Sequence, residues 1–68
     1  MAGMESTYKH AWELFNKAKD YDNMTAKESY LKQAWGAANL AAKHGYPGAK
    51  DLLNQIESYA SALKISVG

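Results

Sequence analysis

Apolar residues recur about every three and a half positions in three stretches of this chain, and two polar breaks separate them. In the first stretch Met4, Tyr8, Ala11, Leu14, Phe15 and Ala18 fall on one side of a helix, at about 100° per residue, centred near Ala11. This predicts a helix over about residues 4–19, with Gly3 or Ser6 as its N-cap. Trp12 falls well off the centre of that stripe, towards its edge.

The first break, DYDNMT, is rich in residues whose short side chains bond to nearby backbone and so compete with helix. Directly after it, Thr25 and Glu28 have the T-x-x-E spacing of a capping box, which places the start of a second helix near residue 26. That helix is predicted to run to about residue 44. Leu31, Ala34, Ala38 and Ala41 mark its inner face, with Tyr30 and Ala37 on one flank and Trp35 and Ala42 on the other. So wide an apolar band implies packing on two sides. Leu40 points away from all of these. Gly36 costs a helix interior about 1 kcal/mol relative to alanine, and a close neighbour at that position would account for it.

The second break, HGYPG, joins two helices by a tight turn. Gly45 suits the left-handed residue that ends a helix, and Pro47 suits the first position of the next. Tyr46 has no evident need to be aromatic there, unless it folds back over the helix ends or meets a partner. Ala49, Leu52, Leu53, Ile56, Tyr59, Ala60 and Leu63 then form the clearest stripe in the chain and predict a helix over about 47–65. The ISVG tail is expected to fray, with Ile65 or Val67 as residues able to pack.

Three short antiparallel helices in 68 residues make one all-α domain, near the lower size limit for a single core. There is no cysteine to staple it, and two lone histidines cannot make a structural zinc site. Self-association as a homodimer is one way to supply the missing burial. The charge is only +1 and all eight basic residues are lysine, which argues against nucleic acid as the partner. The chain has no apolar run of membrane-spanning length. The opening residues lack a signal-peptide pattern, and Ala2 does not fit the myristoylation motif. The expected location is the cytoplasm.

The pattern holds no nucleotide-binding glycine loop, no H-E-x-x-H and no nucleophile motif, so neither catalysis nor a cofactor is expected. Asp20 and Asp22 read as turn residues, since a calcium loop needs many more oxygen ligands. His10 and His44 read as solvated helix residues. The aromatic residues say more. Phe15, Tyr59 and Tyr8 suit the core. Trp12 and Trp35 lie on stripe flanks, where core packing and partner contact are both open. With Leu40 and Tyr46 they make the candidate protein-binding set: Trp12, Trp35, Leu40 and Tyr46.

Ala41, Ala42, Gly45, Ala49 and Leu53, within AANLAAKHGYPGAKDLL, have the spacing of a helix junction that resembles the Sel1-like and tetratricopeptide repeat families. The resemblance covers about residues 34–56; Asn54 stands where a glycine usually follows the leucine, and there is no second copy. It implies helical-hairpin packing and a role in protein contacts. The whole length is also similar to the microtubule-interacting and trafficking domains, which are three-helix bundles that bind short helical tails; Ala49, Lys50, Tyr59 and Leu63 match their last helix at compressed spacing.

The expected fold is therefore a three-helix antiparallel bundle, or a tetratricopeptide-like hairpin plus one helix. The expected function is a non-catalytic protein–protein interaction module. The alternative is a stand-alone inhibitor or immunity-type protein, phage- or plasmid-borne, that blocks a host enzyme by covering its surface.

Overall fold

The structure is a computed structural model that describes residues 3–68. It contains three helices: α1 (Glu5–Asp20), α2 (Met24–Lys43) and α3 (Ala49–Ala62). The reading of the N-terminus from Ala2 lies outside the described residues. At 1.5 Å per residue, the 20 residues of α2 span about 30 Å, and they set the long axis of a 37 × 16 × 14 Å molecule. No helix among the described residues is long and apolar enough to cross a membrane.

The predicted stripes are the buried faces. Ala11, Leu14, Phe15 and Ala18 of α1, Leu31, Ala34, Ala38 and Ala41 of α2, and Ala49, Leu52, Ile56 and Ala60 of α3 form the core. Seven of these twelve are alanine, so the helices approach closely but bury little area per residue. Half-buried residues around them, among them Tyr8, Trp12, Trp35, Leu53 and Tyr59, complete the burial. α2 is the central helix: α1 packs along it as a hairpin, α3 leans on its other flank, and α1 meets α3 at few points.

The start of α2 differs from the capping-box expectation. Asn23 is the N-cap, and its side-chain oxygen accepts the Ala26 N–H at 3.1 Å. Thr25 therefore lies inside the first turn. Glu28 pairs instead with Lys32 at 3.0 Å, as the i,i+4 spacing allows. An asparagine cap ahead of a methionine moved the start two residues towards the N-terminus, because Asn competes at least as well as Thr for this role.

The HGYPG break is two turns in succession. The Gly45 N–H donates to the Ala42 carbonyl at 2.9 Å and the Tyr46 N–H to the Ala41 carbonyl at 3.0 Å, with Gly45 at φ 74°. This is the Schellman closure that Gly45 predicted. The Ala49 N–H then donates to the Tyr46 carbonyl at 3.1 Å, across Pro47 and Gly48. Gly48, at φ 85° and ψ −13°, has the third-position geometry of a type II turn. Pro47 is thus a turn residue two positions ahead of α3, not its first helical residue.

Two further expectations are corrected. Gly36 has nothing within 4 Å of the position a Cβ would take and is exposed, so no close neighbour explains it. The tail does not fray: Ile65 and Val67 both pack against the core.

Candidate functional site

On α1 the residues Tyr8, Trp12, Phe15 and Lys19 recur at helical spacing and form one stripe on the side towards α3. Tyr8 anchors its N-terminal end. Its ring lies 4.9 Å from the Tyr46 ring at a 34° tilt, and its hydroxyl lies 3.0 Å from where a Cβ on Gly48 would stand. Tyr46 thus folds back onto α1, which gives this turn residue a packing reason to be aromatic. One helical turn on, Trp12 is half-buried with its ring 6.1 Å from Phe15. Phe15 is 3% exposed and meets Tyr59 of α3 edge-on, at 5.7 Å and 82°. The Lys19 ammonium stands over the Phe15 ring at 4.4 Å.

Because α1 and α3 both pack on α2 and touch each other little, a furrow stays open between them. Phe15 and Tyr59 give it an aromatic lining; Lys19, Asp51, Gln55 and Ser58 are its polar lining. At one end the Lys27 ammonium donates to the Tyr59 hydroxyl at 2.9 Å and to the carbonyls of Ala18 and Lys19 at 3.1 and 3.4 Å. The lining is thereby fixed: Phe15 by burial, Tyr59 by its hydroxyl.

The four residues singled out from the sequence do not form one patch. Tyr46 packs on Tyr8, and Trp12 lies one helical turn beyond Tyr8 on the same stripe of α1. Trp35 faces α3 from the other flank of α2, where its indole N–H donates to Glu57 Oε2 at 2.9 Å and Gly68 lies on its ring. Leu40 is 46% exposed and projects from the side of α2 away from Leu31, Ala34 and Ala38. Neither Lys27 nor the Phe15–Tyr59 contact is marked in the sequence as a feature of a surface. Their signal was weak, since a lysine in the first turn of a helix ordinarily reads as solvated.

A second aromatic pair lies across the α1–α2 turn. Tyr21 and Tyr30 stack at 5.3 Å and 6°, with the Lys17 ammonium 5.8 Å from the Tyr30 ring. Tyr30, first through hydrogen bonding and then through charge repulsion, holds the Tyr21 phenol above the ordinary tyrosine pKa. Tyr21 and Met24 beside it are 40% and 47% exposed.

Among the described residues no three or more His, Asp or Glu side chains converge as metal ligands, and no polar or charged side chain is buried. His10 Nδ1 stands 3.8 Å from Glu13 Oε1 on the exposed face of α1. Asp20 and Asp22 are both exposed. No family model matches the chain, and neither a curated protein nor a solved structure matches it.

Proposed function

We propose that the chain is a non-catalytic module that binds another protein, and that the partner docks in the furrow between α1 and α3. The observation that carries this reading is the composition of the furrow. An aromatic strip of the half-buried Trp12 and Tyr59, backed by the buried Phe15 between them, is bordered by Lys19, Asp51, Gln55 and Ser58. An apolar centre with a polar rim of mixed sign is the anatomy of a protein interface, and tryptophan and tyrosine are the residues on which binding energy concentrates. The resemblance of residues 34–56 to repeat-protein helix junctions points the same way. Tyr46 supports the surface from its end by packing on Tyr8. Leu40, on another face, is left as a second, smaller contact.

The test compares the wild-type chain with Trp12→Ala and Asp51→Lys as baits in a lysate. The expected result is a protein retained by the wild type and lost by both variants, with the helical circular dichroism of all three unchanged. Equal retention by the folded variants would place the docking surface elsewhere. A captured enzyme that is held one to one and loses its activity would make the module an inhibitor. Sedimentation of the free chain reports whether a second copy takes the furrow to form a homodimer.

A further inference from the structure

The last four residues are held differently from the rest of the chain. Lys64 ends α3 at φ 61°, the only positive φ on a non-glycine among the described residues, and a lysine is strained there because its Cβ crowds the backbone. The reversal closes when the Lys64 N–H donates to the Ser61 carbonyl at 3.0 Å and the Ile65 N–H to the Ala60 carbonyl at 2.8 Å. Beyond that point the described chain makes no further backbone hydrogen bond. Its side chains alternate instead: Ile65 and Val67 are half-buried against the core and Ser66 is exposed, the two-residue period of an extended chain. Gly68 then lies on the Trp35 indole, so close that a Cβ would stand 2.8 Å from Cζ2.

We infer that Ile65–Gly68 is a displaceable strap, and that the seam it covers beside Trp35 accepts in its place an extended peptide with apolar side chains at alternate positions followed by a small residue. The occupant is read from the strap itself, which already fits. Attachment by side chains alone means that release breaks no backbone hydrogen bond beyond the hinge, and it frees Lys64 from its strained conformation. The bond from the Trp35 N–H to Glu57 joins α2 to α3 without involving the strap, so release leaves both of its partners in place. A receptor surface that keeps its shape when empty binds without a large ordering cost. The contact of Gly68 with Trp35 involves none of the residues that line the furrow, so this inference stands apart from the proposed function.

Trp12→Phe leaves Trp35 as the only tryptophan, and its emission reports the strap. In that background Ile65→Asp with Val67→Asp is expected to red-shift the emission and raise its quenching by acrylamide, with helical circular dichroism retained. The probe is an acetylated synthetic peptide, Lys-Ile-Ser-Val-Gly. It is expected to reverse the red shift and to bind the unstrapped variant at least about tenfold more tightly than the parent, whose own tail competes at an effective concentration on the order of millimolar. Val67→Ser, a milder change, is expected to give a partial shift in the same direction. Loss of helix in the double variant would make the tail part of the core and overturn the strap. Emission unchanged from the parent, or a red shift that the peptide does not reverse, would overturn it equally.

Discussion

The Lys27 ammonium and the Tyr59 hydroxyl, 32 positions apart in sequence, lie 2.9 Å from one another. The same ammonium caps two carbonyls in the last turn of α1, where the helix dipole favours positive charge. One lysine in the first turn of α2 therefore holds the end of α1 and the side of α3, which otherwise touch little. Its stem also passes beside the Tyr59 ring, with the ammonium 5.4 Å from the ring centre.

Removing either partner should loosen α3. Tyr59→Phe keeps the ring against Phe15 and deletes only the acceptor, so a loss of about 1 kcal/mol is expected in this half-exposed setting. Lys27→Met keeps the stem and deletes all three bonds, for a loss of about 1–2 kcal/mol. The double variant should lose less than the sum, because the two share one bond. Urea unfolding of the four proteins measures this coupling, and strict additivity would show that the bond contributes nothing.

Two glycines should respond in opposite directions to alanine. Gly36 is helical, exposed and open, so Gly36→Ala is expected to raise stability by about 1 kcal/mol through backbone entropy alone. Gly48 sits at φ 85° with the Tyr8 hydroxyl where a methyl would go. Gly48→Ala should therefore lower stability by about 1–2 kcal/mol and shift the Tyr8 ring from Tyr46. Thermal unfolding separates the two; a fall for Gly36→Ala would mean that something packs there.

Residues such as Leu31, Ala38 and Ile56 declared their burial through spacing, because a helix that must hide one face repeats its apolar positions whatever its neighbours are. Gly45 declared its left-handed turn for a similarly local reason. What could not be read was how the helices face one another. Trp35 and Trp12 sit at similar angles from their stripes, yet one is tied to Glu57 and the tail while the other lies beside Phe15 on α1. That distinction depends on which flank of the central helix α3 takes, and no local period encodes it. The same ignorance hid the furrow, since its lining combines Phe15 with residues about 40 positions later. Where local signals compete, as Asn23 and Thr25 do for one cap, the pattern alone did not decide between them.

That competition is itself testable. Asn23→Ala removes the acceptor of the Ala26 N–H and is expected to cost about 1 kcal/mol. Thr25→Ala, at an exposed first-turn position with no bond to the helix start, should change stability by less than about 0.5 kcal/mol. If Thr25→Ala proves the more damaging, the capping box governs the helix start after all.

Trp12, Trp35 and Leu40 should separate once a partner is in hand, because the structure gives them different work. Trp35→Ala deletes a bridge between α2 and α3 and the surface beneath the tail, so its main effect should be on stability, about 2–3 kcal/mol. Leu40→Ala removes an exposed side chain and should leave stability within about 0.5 kcal/mol. Trp12→Ala loses a half-buried ring and about 1–2 kcal/mol of stability, but its effect on partner affinity should be larger, more than about tenfold. Titration calorimetry and thermal unfolding on the same three variants give both axes. A Trp12→Ala protein that binds as the wild type does would remove the furrow from consideration, and an affinity loss confined to Leu40→Ala would move the interface to the outer face of α2.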